Sequence, residues 1–142
     1  MILFPFLNNY NYLFNKMKDK FFIAAKAVAM NSPGVGQRNS FRLGAVIVEK
    51  NSILSVGNNS YKTHPLMSYR TEWPFLHAEQ LAIIRRGLDN CEGHDLYVVR
   101  ILKNLDYAIS YPCEVCRKLI SDVGLRNIFY INEGGQYSKW NR

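Results

Sequence analysis

The chain has 142 residues, with 18 basic and 11 acidic side chains and three cysteines. This length predicts one domain over residues 1–142, and three cysteines are too few for a disulfide framework, so we expect a reducing, cytoplasmic location. The net charge of +7 favours an anionic partner, although a basic surface can also serve solubility alone.

The first predicted element is a helix that follows an apolar start. Residues 1–7 are apolar but too short and too uncharged for a signal peptide, and no run of 18 apolar residues predicts a membrane span. Apolar side chains then recur at helical steps of three and four, at Leu13, Met17, Phe21, Ala24 and Val28. The turn-forming sequence at 31–34 contains a proline and a glycine, which end this helix.

A β-hairpin and a second helix are predicted next. Residues 43–48 and 53–56 are apolar runs joined by a short polar turn, which is typical of antiparallel strands. Residues 58–76 form a long polar and aromatic loop, and loops of this length are usually functional. The second helix carries His77 in its first turn and ends at Gly87, directly after two arginines.

The rest of the chain alternates strands with a helix. The predicted elements are a strand at 95–101, an excursion at 104–110 that could pair with it, a helix from Pro112 to Gly124, a strand at 127–131 and an edge strand through Tyr137 and Trp140. Because a helix connects the strands at 95–101 and 127–131, we expect these two strands to pair in parallel.

The most specific pattern combines His77 and Glu79, in the sequence HAE, with Cys113 and Cys116, in the sequence PCEVC. One histidine and two cysteines can bind zinc, and three protein ligands leave a fourth position for water, as in catalytic zinc sites. The two cysteines lie three apart at a helix N-terminus, where they share a face and the helix dipole favours thiolates. A structural zinc, a redox C-x-x-C or an unrelated buried histidine are the alternatives. Cys91 lies in a polar stretch and is expected to be an incidental thiol.

This order of residues, H-x-E followed by P-C-x-x-C, resembles the cytidine deaminase superfamily. From Gly44 to Ile131 the chain is most similar to the deoxycytidylate deaminases. The resemblance implies a three-layer, cytidine-deaminase-like α/β fold, with a mixed sheet of about five strands, helices on both faces and the last two main strands parallel. It also implies one Zn²⁺ per chain, bound by His77, Cys113 and Cys116, with Glu79 as the general base and then the general acid.

The predicted substrate contacts come partly from the resemblance and partly from the residues of the long loop, which has no assignable counterpart in relatives. Asn59 matches an asparagine that contacts the sugar in relatives, and Asn58 is close enough for an offset of one residue. A 5′-phosphate could bind to three side chains of the long loop, which are Lys62, His64 and Arg70. The full set is Asn59, Lys62, His64, Arg70, Ala78 and Tyr111. The segment between the third strand and the P-C-x-x-C sequence is longer than in compact relatives.

Glu79 presents a geometric difficulty for this assignment. Side chains two residues apart on an ideal helix point about 200° away from each other. We therefore expect His77 to lie in an irregular first turn, so that the longer Glu79 side chain can reach back to the metal ligands.

We expect from these residues a zinc-dependent deaminase that converts dCMP to dUMP with release of ammonia. Its partner is a small-molecule nucleotide, and the resemblance implies a homo-oligomer. One alternative is a deaminase of cytosine or adenine in single-stranded DNA or RNA, since aromatic residues alternate with Lys62 and Arg70. A second alternative is a non-catalytic, zinc-stabilised binding protein, against which Glu79 counts because structural sites use a fourth protein ligand.

Overall fold

A computed structural model describes residues 19–36, 38, 40–61 and 76–141 of the chain. Its elements are helix α1 (19–30), strands β1 (Arg42–Glu49) and β2 (Ser52–Asn58), helix α2 (Ala78–Arg86), strands β3 (Asp95–Ile101) and β4 (Tyr107–Ala108), helix α3 (Glu114–Asp122), and strands β5 (Asn127–Ile131) and β6 (Tyr137–Asn141). The predicted helix positions Leu13 and Met17, and most of the predicted long loop, lie outside the described residues.

The strands form one mixed sheet in the order β2-β1-β3-β5-β6, with β4 paired to β3. β3 and β5 pair in parallel, as the helical connection between them predicts, and the other neighbours are antiparallel. The predicted hairpin and the edge strand through Tyr137 and Trp140 are both confirmed. The sheet has six strands rather than about five, because the excursion after β3 does pair with it.

Helices cover both faces of this sheet. Alternate residues of the central strands, such as Ile47 and Leu96, pack beneath α2 and α3. The residues between them, such as Val46 and Tyr97, pack against α1. Both faces are therefore buried, which explains why β1 and β3 read as nearly continuous apolar runs. The predicted three-layer arrangement is confirmed.

Helix α1 has the predicted amphipathic character, but its buried face is rotated from the predicted one. The most buried side chains are Phe21, Phe22, Ala25 and Ala29. Ala24 and Val28 are only partly buried at the margin of this cluster. The rotation follows from close contact with β1, since a Cβ at Gly44 would lie 2.2 Å from the carbonyl oxygen of Ala25. Small residues must face the sheet at this point.

Helix α2 lies equally close to the other face of the sheet. A Cβ at Gly57 would lie 2.5 Å from the amide nitrogen of Ala82 and 2.6 Å from the carbonyl oxygen of Ala78. The hydroxyl of Ser55 also donates a hydrogen bond to the carbonyl of Ala82, at 2.7 Å. These backbone contacts fix the depth of α2, and so of the residues at its start, relative to β2.

The remaining cysteine belongs to the core rather than to a polar turn. Cys91 is fully buried after α2, and its thiol donates a hydrogen bond to the carbonyl of Gly87. Burial raises the pKa of this thiol, which keeps it protonated and unreactive. Within the described residues, no helix is both long and apolar enough to cross a bilayer.

Candidate metal centre and active site

His77 precedes helix α2 instead of lying in its first turn. Its backbone is extended, with φ −78° and ψ 153°, and it is the N-cap residue. Its amide donates a hydrogen bond to Oε1 of Gln80, at 2.9 Å. Because His77 lies outside the helix, the helical separation of about 200° does not apply to it and Glu79. The expectation that His77 lies in an irregular first turn was wrong, because His77 is the N-cap residue and has an extended backbone.

The two predicted cysteine ligands lie at the start of α3. Cys113 is the N-cap residue, and its sulfur accepts a hydrogen bond from the amide of Cys116, at 3.5 Å. The helix begins at Glu114, so Pro112 lies just before the cap rather than at the first helical position. Both sulfurs are therefore held at a helix N-terminus, where the dipole stabilises thiolates.

These three side chains form a cluster that fits one zinc ion. Nδ1 of His77 lies 3.4 Å from Sγ of Cys116 and 3.7 Å from Sγ of Cys113. All three ligand atoms lie within 4.8 Å of one another. Tetrahedral zinc, with bonds of about 2.3 Å to sulfur and about 2.0 Å to nitrogen, separates nitrogen from sulfur by about 3.6 Å. The geometry assigns Nδ1 as the metal-binding nitrogen of His77.

The protonation of the ligands reflects their closeness. A hydrogen bond from Cys116 lowers the pKa of Cys113 to about 4, and the same hydrogen bond together with burial raises the pKa of Cys116 well above its usual value. Burial lowers the pKa of His77, but the hydrogen bond with Cys113 and the charge of Glu79 outweigh it, and the net shift is upward. Protons therefore compete more strongly with a metal ion at Cys116 and His77 than at unperturbed side chains.

Glu79 is buried beside this cluster, with an exposed fraction of 3%. Its Oε1 atom is buried and has no hydrogen-bond partner among the described residues. Burial raises the pKa of this carboxyl group, against the attraction of His77. A buried acid with an unused oxygen in a cleft is a strong candidate for proton transfer.

A cleft of about 370 Å³ opens onto the cluster. Among the predicted site residues, it brings together His77, Glu79, Cys113, Asn59, Ala78 and Tyr111. Lys62, His64 and Arg70 lie outside the described residues. The lining residues that were not predicted are Val35, Gly36, Phe41, Leu43, Arg100, Ile109 and Ser110. Of these, only Arg100 carried a signal in the sequence, as a charge within the apolar strand β3.

Asn59 lines the cleft and also holds the chain around it. Its Oδ1 accepts hydrogen bonds from the hydroxyl of Ser32, at 2.7 Å, and from the amide of Leu43, at 2.9 Å. Its Nδ2 donates one hydrogen bond to the carbonyl of Phe41, at 2.8 Å. An amide nitrogen has two hydrogens, so Asn59 can still offer one to a ligand. Asn58 does not line the cleft.

Tyr111 lies at the rim, with an exposed fraction of 42%. Its ring packs edge-on against Tyr130 and Trp140, with centroids 5.0 and 6.4 Å away. The guanidinium of Arg117 lies 5.0 Å from its centroid. The rim of the cleft therefore presents the ring of Tyr111, which packs against two other aromatic rings and a cation.

Ser110 fixes the chain where it returns from the excursion to the cleft. Its hydroxyl donates to the carbonyl of Val98, at 2.7 Å, and accepts from the amide of Ile131, at 2.8 Å. Its own amide donates to the carbonyl of Ile131, at 2.9 Å. Three hydrogen bonds to β3 and β5 thus hold the chain three residues before Cys113.

Comparison with known proteins identifies the family of this chain. A family model described as the cytidine and deoxycytidylate deaminase zinc-binding region matches residues 16–132. A search of curated proteins gives no match. The structure resembles apo dCMP deaminase from the cyanophage S-TIM5, with a TM-score of 0.61 and 23% identity, over 83% of this chain and 84% of that one.

Two further solved structures share the fold. The same cyanophage enzyme in complex with dCMP and dUMP gives a TM-score of 0.57 at 23% identity, over 80% of this chain and 79% of that one. Cytidine deaminase from Burkholderia pseudomallei gives 0.61 at 18% identity, over 87% and 91%. The family model covers most of the chain, and both cysteines and the histidine are in place. The chain therefore belongs to the cytidine and deoxycytidylate deaminase family and is a zinc-dependent deaminase.

Proposed function

We propose that this enzyme deaminates the cytosine of a deoxynucleotide, converting dCMP to dUMP with release of ammonia. The observation that carries the proposal is the buried Glu79 carboxyl group, which has an unused oxygen beside a three-ligand zinc cluster. A structural zinc site would use that fourth position for another protein ligand. The second alternative, a non-catalytic binding protein, leaves this arrangement without a purpose.

The chemistry needs a water, a proton carrier and a positioned base. Zinc bound by His77, Cys113 and Cys116 supplies a Lewis acid that lowers the pKa of a bound water towards neutrality. Glu79 takes a proton from the attacking water and delivers it to N3 of the cytosine ring. The water oxygen bonds to C4. Glu79 then takes the second proton from that oxygen and passes it to the amine, so that the bond from C4 to the amine breaks, the carbonyl forms and ammonia leaves.

Nucleotide binding is supported by the shape of the cleft and by the comparisons. Its volume of about 370 Å³ falls in the range of small-molecule sites. A relative with the same fold, the cyanophage enzyme, has been solved with dCMP and dUMP. We propose that the second amide hydrogen of Asn59 binds the sugar, that Ala78 and Tyr111 contact the base, and that Lys62, His64 and Arg70 remain candidates for the phosphate. A cytoplasmic homo-oligomer belongs to the same proposal.

One observation favours a second candidate, a deaminase of cytosine in single-stranded DNA or RNA. Tyr111 lines the cleft, its ring packs against those of Tyr130 and Trp140, and the guanidinium of Arg117 lies 5.0 Å from its centroid. Aromatic rings next to cations form stacking platforms for nucleic-acid bases. Such an enzyme would bind its substrate with a steep dependence on salt concentration.

Ammonia release from a panel of substrates tests the proposal. The zinc-loaded enzyme is offered deoxycytidine, dCMP, dCTP, CMP and a cytosine-containing oligonucleotide, and the variant Glu79→Gln serves as the inactive control. We expect dCMP to give the highest kcat/KM. Reaction of the oligonucleotide alone would favour the second candidate, and zinc binding without turnover of any substrate would favour the binding protein.

A further inference from the structure

Arg100 places a cation in the cleft. Alternation along β3 puts Leu96 and Val98 on the side of α2 and α3, so Arg100 lies on that side too, at the end of the strand. It lines the same cleft as His77 and Glu79. No other lysine or arginine in the described part of the chain lines this cleft.

The guanidinium of Arg100 packs against an aromatic ring and has no acidic partner among the described residues. Its central carbon lies 4.4 Å from the ring centroid of Phe41, which also lines the cleft. Its Nε atom is buried and has no hydrogen-bond partner within the described ranges. Arg117, by contrast, donates a hydrogen bond to the carbonyl of Pro112. Arg100 therefore lies in the wall of the cleft with its guanidinium packed against the ring of Phe41.

The charges of the site explain why a cation is needed there. Glu79 and the two thiolates of the bound form carry three negative charges, one more than a zinc dication compensates. A phosphate entering this cleft would be repelled by the remaining negative charge. Arginine offers a fixed positive charge and a planar fork of donors that matches two phosphate oxygens.

We propose that Arg100 binds the 5′-phosphate of a mononucleotide substrate, with its guanidinium held against the ring of Phe41. This inference rests on the proposed function and names the group by which the enzyme distinguishes a nucleotide from a nucleoside. Phosphate recognition is thereby assigned to the wall of the cleft that β3 forms.

Binding of products provides a test that does not depend on turnover. Affinities of the zinc-loaded enzyme for dUMP and deoxyuridine are measured by calorimetry, together with kcat/KM for dCMP and deoxycytidine. Hydrogen bonds to charged groups predict a loss of about 10- to 100-fold in dUMP affinity for Arg100→Gln, with no change for deoxyuridine. Arg100→Lys should recover part of the loss, because it restores the charge without the fork.

Two further variants control for structural effects. Phe41→Leu keeps Arg100 but removes the ring beneath it, and we expect a loss of about threefold in dUMP affinity. Arg42→Gln is the matched control. Arg42 pairs with Ile101 in the neighbouring strand and also has a buried Nε without a partner among the described residues, but it does not line the cleft. Both affinities should be unchanged in this variant.

The outcomes separate this inference from the proposed function. Equal losses for dUMP and deoxyuridine, or no loss for either, would overturn the role of Arg100 even if the wild type converts dCMP. Binding of dUMP that depends on Arg100, in an enzyme that does not convert dCMP, would support the inference and refute the proposed function. Binding of a cytosine oligonucleotide that depends on Arg100, without binding of dUMP, would overturn the assignment to a terminal phosphate.

Discussion

Substitution of Gly57 by alanine tests whether the close contact between β2 and α2 positions the active site. The new Cβ would lie 2.5 Å from the amide nitrogen of Ala82, whereas ordinary contact begins at 3.4 Å, so α2 must move by about 0.9 Å. The neighbouring atoms belong to the backbone, so no side-chain rotation relieves the overlap. Overpacking of this kind destabilises a protein by about 1–3 kcal/mol.

The same movement should also reduce activity. Helix α2 carries Glu79 and has the ligand His77 at its N-cap, whereas Cys113 and Cys116 lie at the start of α3. A displacement of about 1 Å in a catalytic group can reduce the rate by about 100-fold. We therefore expect Gly57→Ala to lower kcat/KM by about that factor.

The assay combines kcat/KM, zinc content per chain and urea unfolding. The control is Gly134→Ala, because a Cβ at Gly134 would have the amide oxygen of Asn132 as its nearest neighbour, at an acceptable 3.4 Å. A Gly57→Ala enzyme with unchanged stability and unchanged kcat/KM would refute the reasoning.

Three other predictions follow from the site. Glu79→Gln should keep one Zn²⁺ per chain but lose about 10²- to 10⁴-fold in kcat; loss of the metal as well would show that Glu79 is a ligand. Zinc affinity, measured by competition with a chelator, should rise as the pH is raised, because the pKa values of Cys116 and His77 are raised and their protons compete with the metal; a flat profile would contradict these directions. Asn59→Ala should lower the free energy of unfolding by about 2–4 kcal/mol through its lost buried hydrogen bonds, whereas Asn58→Ala should change it by less than about 0.5 kcal/mol; equal losses in urea unfolding would count against a special role of Asn59.

The metal cluster could be predicted from the sequence because its ligands occur in short, closely spaced patterns. Cys113 and Cys116 share a helical turn, and His77 lies within one short sequence with Glu79. The local backbone at His77 was harder to foresee. Whether a residue is the N-cap or the first helical residue depends on contacts such as that between its amide and Gln80.

The walls of the cleft could not be predicted in the same way. Phe41 and Arg100 come together only because β1 and β3 are neighbours, and their side chains are far apart in the sequence. The rotation of α1 had a similar cause. Periodicity identifies an amphipathic helix, but the exact buried face depends on the lack of a side chain at Gly44 on another element.

The hydrogen bonds of Ser110 have a consequence for how this enzyme can be altered. They anchor the chain between the excursion at 102–109 and the ligand Cys113. We therefore expect a change in the length of the excursion to leave the metal ligands in place. Ile109 contributes to the cleft from the excursion, directly before this anchor. Evolution or protein engineering can therefore lengthen, shorten or replace the excursion to reshape substrate selectivity while the hydrolytic machinery stays intact.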